Sequence, residues 1–387
     1  MKKILLLSEN LLGDSGGAES YGAHMAQTLS EKYDVTIVSK KGYTDKDNVQ
    51  NKYNLKSINI ETVDCAEGCT KVGRVLSRLA MREQIKTLLK NGQYDLFINT
   101  NSNRMSGFTE IPCVHLIHFP KPNYNNYFPK LIGDRLNHKY INSYNLFLAN
   151  SIFTKKWIHS YWGIDAKVLY PPIYTEPIAN TSKDLGIREN IILMVGRINP
   201  IKKIKEAAEV FCSGIGKKYP DYSLHIIGNK DKSELDYYEE IKGLLNTNKI
   251  FMHTDIDYSE LISWYRKAKI FWHFAGYMID EDSDPENMEH FGMTTVEAMT
   301  QGCVPVVINK AGQKESVKDG YDGFRWSTVE ELNIKTEQLI SDNYLLNIMS
   351  LNAIEDSKRF LLDEFNKKCF RYIDPLLLNK SKSEANK

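Results

Sequence analysis

No stretch of the 387 residues is long and apolar enough to cross a bilayer. Met1-Lys2-Lys3 followed by Ile4-Leu5-Leu6-Leu7 opens like an export signal. The apolar run stops at Ser8-Glu9-Asn10, too soon for a signal-peptide core, so a buried first strand is expected instead. An excess of one charge is also missing. Lys and Arg total 50 against 49 Asp and Glu, so no global field draws the chain to nucleic acid. Cysteine is sparse: of the six, only Cys65 and Cys69 are close, without a second pair or a His cluster. That spacing argues against structural zinc and for reduced thiols in a cytosolic protein. Internal repeats and low-complexity segments are absent, and the polar tail Asn379–Lys387 is expected to fray.

What the chain does have is alternation. Short apolar runs at Ile4–Leu7, Val35–Val38, Leu96–Ile98, Val114–Ile117 and Leu146–Ala149 read as strands with amphipathic stretches between them. Pro171-Pro172 and Pro177 mark a break. A second series follows, with strands at Ile191–Val195, Leu224–Ile227, Ile250–Met252, Ile270–Phe274, Val304–Ile308 and Phe324–Trp326. Helices are expected over Lys203–Tyr219 and Leu235–Leu245. Two such βαβ series predict an α/β protein with two Rossmann-like domains, 1–175 and 176–354, facing a cleft. Ligands of open parallel sheets bind at the carboxyl ends of strands, so residues just beyond strands are the candidates.

The most informative stretch is Glu289-His-Phe-Gly-Met-Thr-Thr-Val-Glu297, where a loop gives way to a helix. Thr294 reads as the N-cap and Val296, Ala298 and Met299 as an apolar helical face. Free amides at a helix start attract phosphate. Glu289 and Glu297 would flank that phosphate and reach the sugars beside it. Thr294-x-x-Glu297 is equally a capping box, with Glu297 turned back to its own helix start.

Other candidates follow strands. Gly16-Gly17 opens a helix after the first strand and lets the backbone approach a ligand, or is an ordinary turn; it is not the dinucleotide Gly-x-Gly-x-x-Gly pattern. Arg197 and Lys202 follow the first strand of the second series, as a planar fork of donors and a mobile point charge suited to a diphosphate. His118 ends a strand and could bond a sugar hydroxyl, whereas His115 points to the opposite face. Asp255-Ile-Asp257 imitates a metal-binding Asp-x-Asp, but Asp257-x-x-Glu260 before a helical run reads better as a cap. The acidic loop Asp280–Asp284 lacks the spacing and glycine of a calcium loop. Lys71, Arg74, Arg78, Arg82, Lys86 and Lys90 recur every three or four residues along one helical face. They form either a solvated face or a stripe for anionic membrane, where each cation contributes ~1 kcal/mol.

Taken together, these residues resemble the retaining glycosyltransferases of family 4, which have the GT-B fold. The resemblance spans nearly the whole chain. It rests on Gly16-Gly17, Ala149-Asn150-Ser151 with Tyr170-Pro171-Pro172, Gly196-Arg197 with Lys202, Ile227-Gly228, and Glu289 with Glu297, then Gly302-Cys303-Val304-Pro305-Val306-Val307. Glu289-His290-Phe291-Gly292 also looks like the matching stretch of the lipid-linked-oligosaccharide mannosyltransferases of that family.

The resemblance implies a donor site built from Gly16, Gly17, Arg197, Lys202, Gly228, Phe291, Gly292, Met293, Thr294 and Glu297. Arg197 and Lys202 would hold the diphosphate, Glu297 the ribose, and Glu289 and His118 the transferred sugar. It implies no catalytic metal and no cofactor, and a C-terminal segment, residues 355–387, whose helix (about Glu355–Tyr372) returns to the first domain. Three features depart from the pattern: Lys203 and His290 stand where glycine is frequent, and the loop Ala275–Met288 is long. The expected function is hexose transfer from a GDP- or UDP-sugar to a hydroxyl of a glycan or lipid-linked glycan, in the synthesis of cell-surface polysaccharide or glycoconjugate. The expected place is the cytoplasm, peripherally at the inner face of the membrane. The same fold serves sugar phosphorylases and sugar-nucleotide epimerases, and a non-catalytic sugar-nucleotide binder is the remaining alternative.

Overall fold

The computed structural model describes the chain except residues 13–15, 42–44, 54, 56–57, 64–70, 102–104, 109, 124–125, 127–128, 176, 179–187, 231–234, 245–248 and 385–387. Within some helices only the backbone is described, as at residues 71–76 and 78. Cys65 and Cys69 lie outside the described residues. The chain forms two units, Met1–Pro172 with Asp363–Lys387, and Ile173–Leu362.

In the first unit the strands are β1 (Lys3–Leu7), β2 (Asp34–Lys40), β3 (Asn59–Val63), β4 (Leu96–Asn99), β5 (Cys113–Ile117), β6 (Leu146–Ala149) and β7 (Lys167–Val168). The helices are α1 (Gly17–Ser30), α2 (Lys46–Lys52), α3 (Lys71–Gly92), α4 (Lys130–Ile141) and α5 (Ile152–Trp162). The seven strands pair in parallel in the order β3-β2-β1-β4-β5-β6-β7. Strands covered on both faces read as unbroken apolar runs, as Ile4–Leu7 do, all fully buried. β3, an edge strand, carries only Ile60 and Val63 as apolar residues among Asn59, Glu61 and Thr62, and β7 has two residues; neither announced itself in the sequence.

The second unit repeats the plan with β8 (Glu189–Val195), β9 (Ser223–Ile227), β10 (Ile250–His253), β11 (Ala268–His273), β12 (Val304–Ile308) and β13 (Phe324–Trp326). Its helices are α6 (Ile204–Ser213), α7 (Ile215–Lys218), α8 (Leu235–Leu244), α9 (Tyr258–Lys267), α10 (Met293–Thr300), α11 (Gln313–Ser316), α12 (Val329–Ser341) and α13 (Asn343–Ser357). The sheet runs β10-β9-β8-β11-β12-β13, all parallel. Side chains alternate along β11. Ile270 and Trp272 join one core with Ile204, Phe211 and Leu332. Phe271 joins the other with Tyr265, Ala298 and Met299. Each such fully buried aliphatic or aromatic side chain contributes ~1.5–3 kcal/mol.

Two expected helices are broken. Lys203–Tyr219 is α6 and α7 separated at Gly214, where an added Cβ would lie 2.6 Å from Asn333 Oδ1. The segment expected as one helix over Glu355–Tyr372 is the end of α13, a short turn at Lys358–Phe360 and then α14 (Leu362–Glu384). α14 extends to Glu384, into the segment expected to fray. It packs on the first unit: Thr28 donates to Asn366 (2.7 Å) and Tyr33 to Asp374 (2.7 Å), and Tyr21 meets Phe365 edge-on.

Candidate active site

Each sheet reverses its strand order once, between β1 and β4 and between β8 and β11. In the second unit that switch point gathers the chemistry. β8 delivers Gly196, whose amide donates to Ile227 O (3.0 Å). Gly228 must be glycine here, since a Cβ on it would sit 1.8 Å from Gly196 O. Arg197 follows with an exposed side chain. Asn199 accepts from the Lys202 amide and caps the turn Pro200–Lys202. Lys203 has φ 55°, a left-handed backbone that glycine adopts more readily, so this departure from the family pattern is accommodated with strain.

That turn aims Lys202 at Glu289. Nζ stands 2.5 Å from Oε2, with the two side chains 26% and 17% exposed. Nε2 of His273, the last residue of β11, lies 3.2 Å from the same oxygen. Burial pushes the Glu289 carboxyl up, but the Lys202 ammonium and the His273 bond outweigh it and hold it well below the usual carboxylate range. Burial lowers the His273 pKa against the pull of Glu289, so its imidazole is neutral.

Three residues beyond Glu289, Gly292 turns the chain into α10 with φ 94°. Gly292 is therefore the N-cap, and Thr294, expected there, is the second helical residue. An added Cβ at Gly292 would meet Gln313 Nε2 at 2.4 Å, which explains the glycine twice over. The amides of Thr295 and Val296 already donate to Gly292 O, which leaves the dipole and the earlier amides at Met293 and Thr294 to face an anion. The capping-box alternative for Glu297 does not hold either. Its Oε2 accepts from the hydroxyl of fully buried Tyr265 (3.0 Å), a partner on α9. Burial raises the Glu297 pKa and that hydroxyl opposes the rise.

In the first unit, Gly16 is the N-cap of α1 and Glu19 reaches back to its amide (3.0 Å). Gly17 is the first helical residue. His118 Nε2 bonds Thr100 O (2.9 Å), so Nδ1 is left as an acceptor; burial lowers its pKa, and Thr100 O and Glu19 oppose that. A cavity of about 120 Å³ lies here, lined by Ser8, Glu9, Glu19, Thr100, Asn101 and His118. His115 is spent on structure. Its Nε2 bonds Asn101 O (2.7 Å), Tyr140 OH donates to its Nδ1 (2.6 Å), and burial lowers its pKa to about 4.

Thus the structure brings Lys202 and Glu289 together, with Gly228 under the Arg197 loop and Phe291–Thr294 directly after Glu289. His273 and Tyr265 were missed. A histidine ending an otherwise apolar strand run (Ile270-Phe-Trp-His273) was the available signal for the first. Tyr265 looked like any core residue of a helix. Asp257 caps α9 through the Glu260 amide (2.8 Å), as its pattern suggested. The basic stripe divides. Arg82 turns its guanidinium to Ser106 O (3.3 Å) and Gly107 O (3.1 Å) and over the Phe108 ring, so it serves the fold. Lys86 and Lys90 are exposed, and the side chains of Lys71, Arg74 and Arg78 lie outside the described part. Among the described residues no helix is long and apolar enough to cross a membrane.

Residues 178–356 match the family Glycosyl transferases group 1, and residues 15–177 match Glycosyltransferase Family 4. The GDP-Man:Man(3)GlcNAc(2)-PP-Dol alpha-1,2-mannosyltransferase of Dictyostelium discoideum is 25% identical over 251 residues, 60% of this chain and 47% of the relative. An alpha-1,3/1,6-mannosyltransferase of Homo sapiens is 24% identical over 251 residues, 60% of this chain and 58% of that protein. The chain thus spans about half the length of these curated relatives. Among solved structures, Anabaena HepE in complex with UDP and glucose superposes with a TM-score of 0.71 at 18% identity, covering 97% of this chain and 100% of that one. With both halves matched and two parallel α/β units in hand, the chain belongs to the glycosyltransferases of family 4, with the GT-B fold.

Proposed function

We propose that the protein transfers a hexose from a nucleotide sugar to a hydroxyl of a glycan or lipid-linked glycan, with retention at the anomeric carbon. The observation that carries the reading is the Lys202–Glu289 pair at the β8/β11 switch point, directly before the α10 amides. Arg197, Lys202 and those amides take the donor's diphosphate. Glu297 takes the ribose and Glu289 a hydroxyl of the sugar; His118, with Nδ1 open, accepts from the sugar. The bond from the anomeric carbon to the diphosphate oxygen breaks as the acceptor oxygen bonds the same carbon from the same face. The acceptor proton passes to the leaving phosphate oxygen. The fixed positive groups stabilise the charge growing there, so the step calls for no metal. GDP-mannose is the favoured donor and a lipid-linked glycan the favoured acceptor, because the matched mannosyltransferases are named for them. Work at the cytoplasmic face of a membrane, in building surface polysaccharide or glycoconjugate, follows from such an acceptor.

Thermal shift against GDP-, UDP- and dTDP-sugars tests the reading. A ligand at a hundredfold excess over its dissociation constant stabilises by about 2.7 kcal/mol. One nucleotide sugar should raise the melting temperature, and Arg197→Ala should weaken that shift and lower turnover roughly 10²-fold or more. No shift with any donor, or full turnover in Arg197→Ala, would overturn it. Phosphate-dependent cleavage of a free glycan would replace transfer by phosphorolysis.

A further inference from the structure

We infer that His273 is a positioning residue: it keeps Glu289 in place when the donor's diphosphate draws Lys202 away. The inference rests on the reading just given and adds a residue to it. Lys202 Nζ and His273 Nε2 both approach Oε2 of Glu289, at 2.5 and 3.2 Å. Both contacts fall on Oε2, and among the described residues none is made to Oε1, the oxygen we assign to a sugar hydroxyl. Lys202 has two destinations, this carboxylate and the diphosphate, and a flexible stem that reaches either. Once it moves, Glu289 keeps His273 as its partner. Without that bond, the carboxylate would follow the ammonium toward the phosphate and leave the sugar.

His273 is poorly explained as packing. It is 4% exposed on the face of β11 shared with apolar Phe271. A carboxylate only accepts, so the neutral imidazole must donate through Nε2. Its Nδ1 is then a buried acceptor without a partner among the described residues. An apolar residue would avoid that penalty. His273 is 4% exposed, and the cavity beside it, shared with Lys202, Gly196 and Trp272, measures about 10 Å³, so it offers a sugar little surface of its own. It acts through Glu289.

The test compares wild type with His273→Phe, which keeps bulk without a donor, His273→Ala, and His273→Gln, whose amide restores a donor. Calorimetric titration measures GDP against GDP-mannose and UDP against UDP-glucose. The affinity of the nucleoside diphosphate alone should stay within about twofold in every variant. The additional affinity contributed by the sugar should fall roughly 10- to 100-fold in His273→Phe and His273→Ala, the range for a hydrogen bond to a charged group. His273→Gln should recover much of it. Full sugar affinity in His273→Phe, or equal loss of diphosphate and sugar affinity in all three variants, would overturn the inference. So would a wild type that binds the diphosphate and gains nothing from either sugar, with the nucleotide site still standing. A wild type that binds neither diphosphate would instead overturn the functional reading, and this inference with it.

Discussion

Replacing Lys202 by methionine removes the ammonium and keeps most of the stem, so it isolates the ion pair with Glu289. At 2.5 Å and an effective dielectric of about 20, the gross attraction is roughly 7 kcal/mol. Desolvation of both groups offsets most of that. The side chains remain 26% and 17% exposed, so solvent screening puts the net coupling near the low end of charged hydrogen bonds, about 2 kcal/mol. Urea unfolding of wild type, Lys202→Met, Glu289→Gln and the double variant at pH 7.5 gives it directly. The double variant should be less destabilised than the sum of the singles by about that amount. The sign with pH follows from the depressed carboxyl. The contribution is fully present above the unfolded carboxylate's pKa, ~4.3, and is lost as pH falls below it. The same pair competes with the donor. Glu289→Gln releases the ammonium, so affinity for GDP or UDP alone should rise. Additive energies, within ~0.5 kcal/mol, would refute the pair as an energetic unit.

Other outcomes are equally open to measurement. Gly228→Ala puts a Cβ 1.8 Å from Gly196 O, so it should cost ~1–3 kcal/mol or more and weaken diphosphate binding by moving the Arg197 loop; an unchanged melting temperature would refute the contact. His115 should titrate near pH 4 by imidazole NMR. Because the unfolded state binds that proton first, stability should fall as pH drops from ~6.5 toward 4, by about 3 kcal/mol from this residue, and a titration near 6.5 would refute it. Lys86→Glu with Lys90→Glu should abolish sedimentation with anionic vesicles if α3 meets a membrane. Arg82→Met should instead destabilise the first unit by ~1–2 kcal/mol, since its guanidinium serves two carbonyls.

Apart from β3 and β7, the strands of both sheets were legible because a parallel strand covered on both faces is an unbroken apolar run. Val304–Ile308 is apolar throughout, whereas Asn59–Val63 at the sheet edge, with three polar residues of five, hid β3. The glycines were legible for a local reason as well: Gly196 and Gly228 sit directly after strands, and Gly16 and Gly292 directly before helices. Partner choice was not. Glu297 satisfied a four-residue capping pattern, but the helix starts from Gly292, ahead of Thr294, and Tyr265, 32 positions away, took the carboxylate. Arg82 fitted a basic stripe by helical spacing, yet carbonyls 24 and 25 positions away claimed it. His273 and Glu289, 16 apart, meet because β11 and the loop before α10 converge at the sheet's switch point. Period, cap and turn act over a few residues, so the sequence by itself determined the elements and the order of the candidate groups. Which oxygen faces which nitrogen depends on the packing of distant segments, and only the tertiary structure decided that.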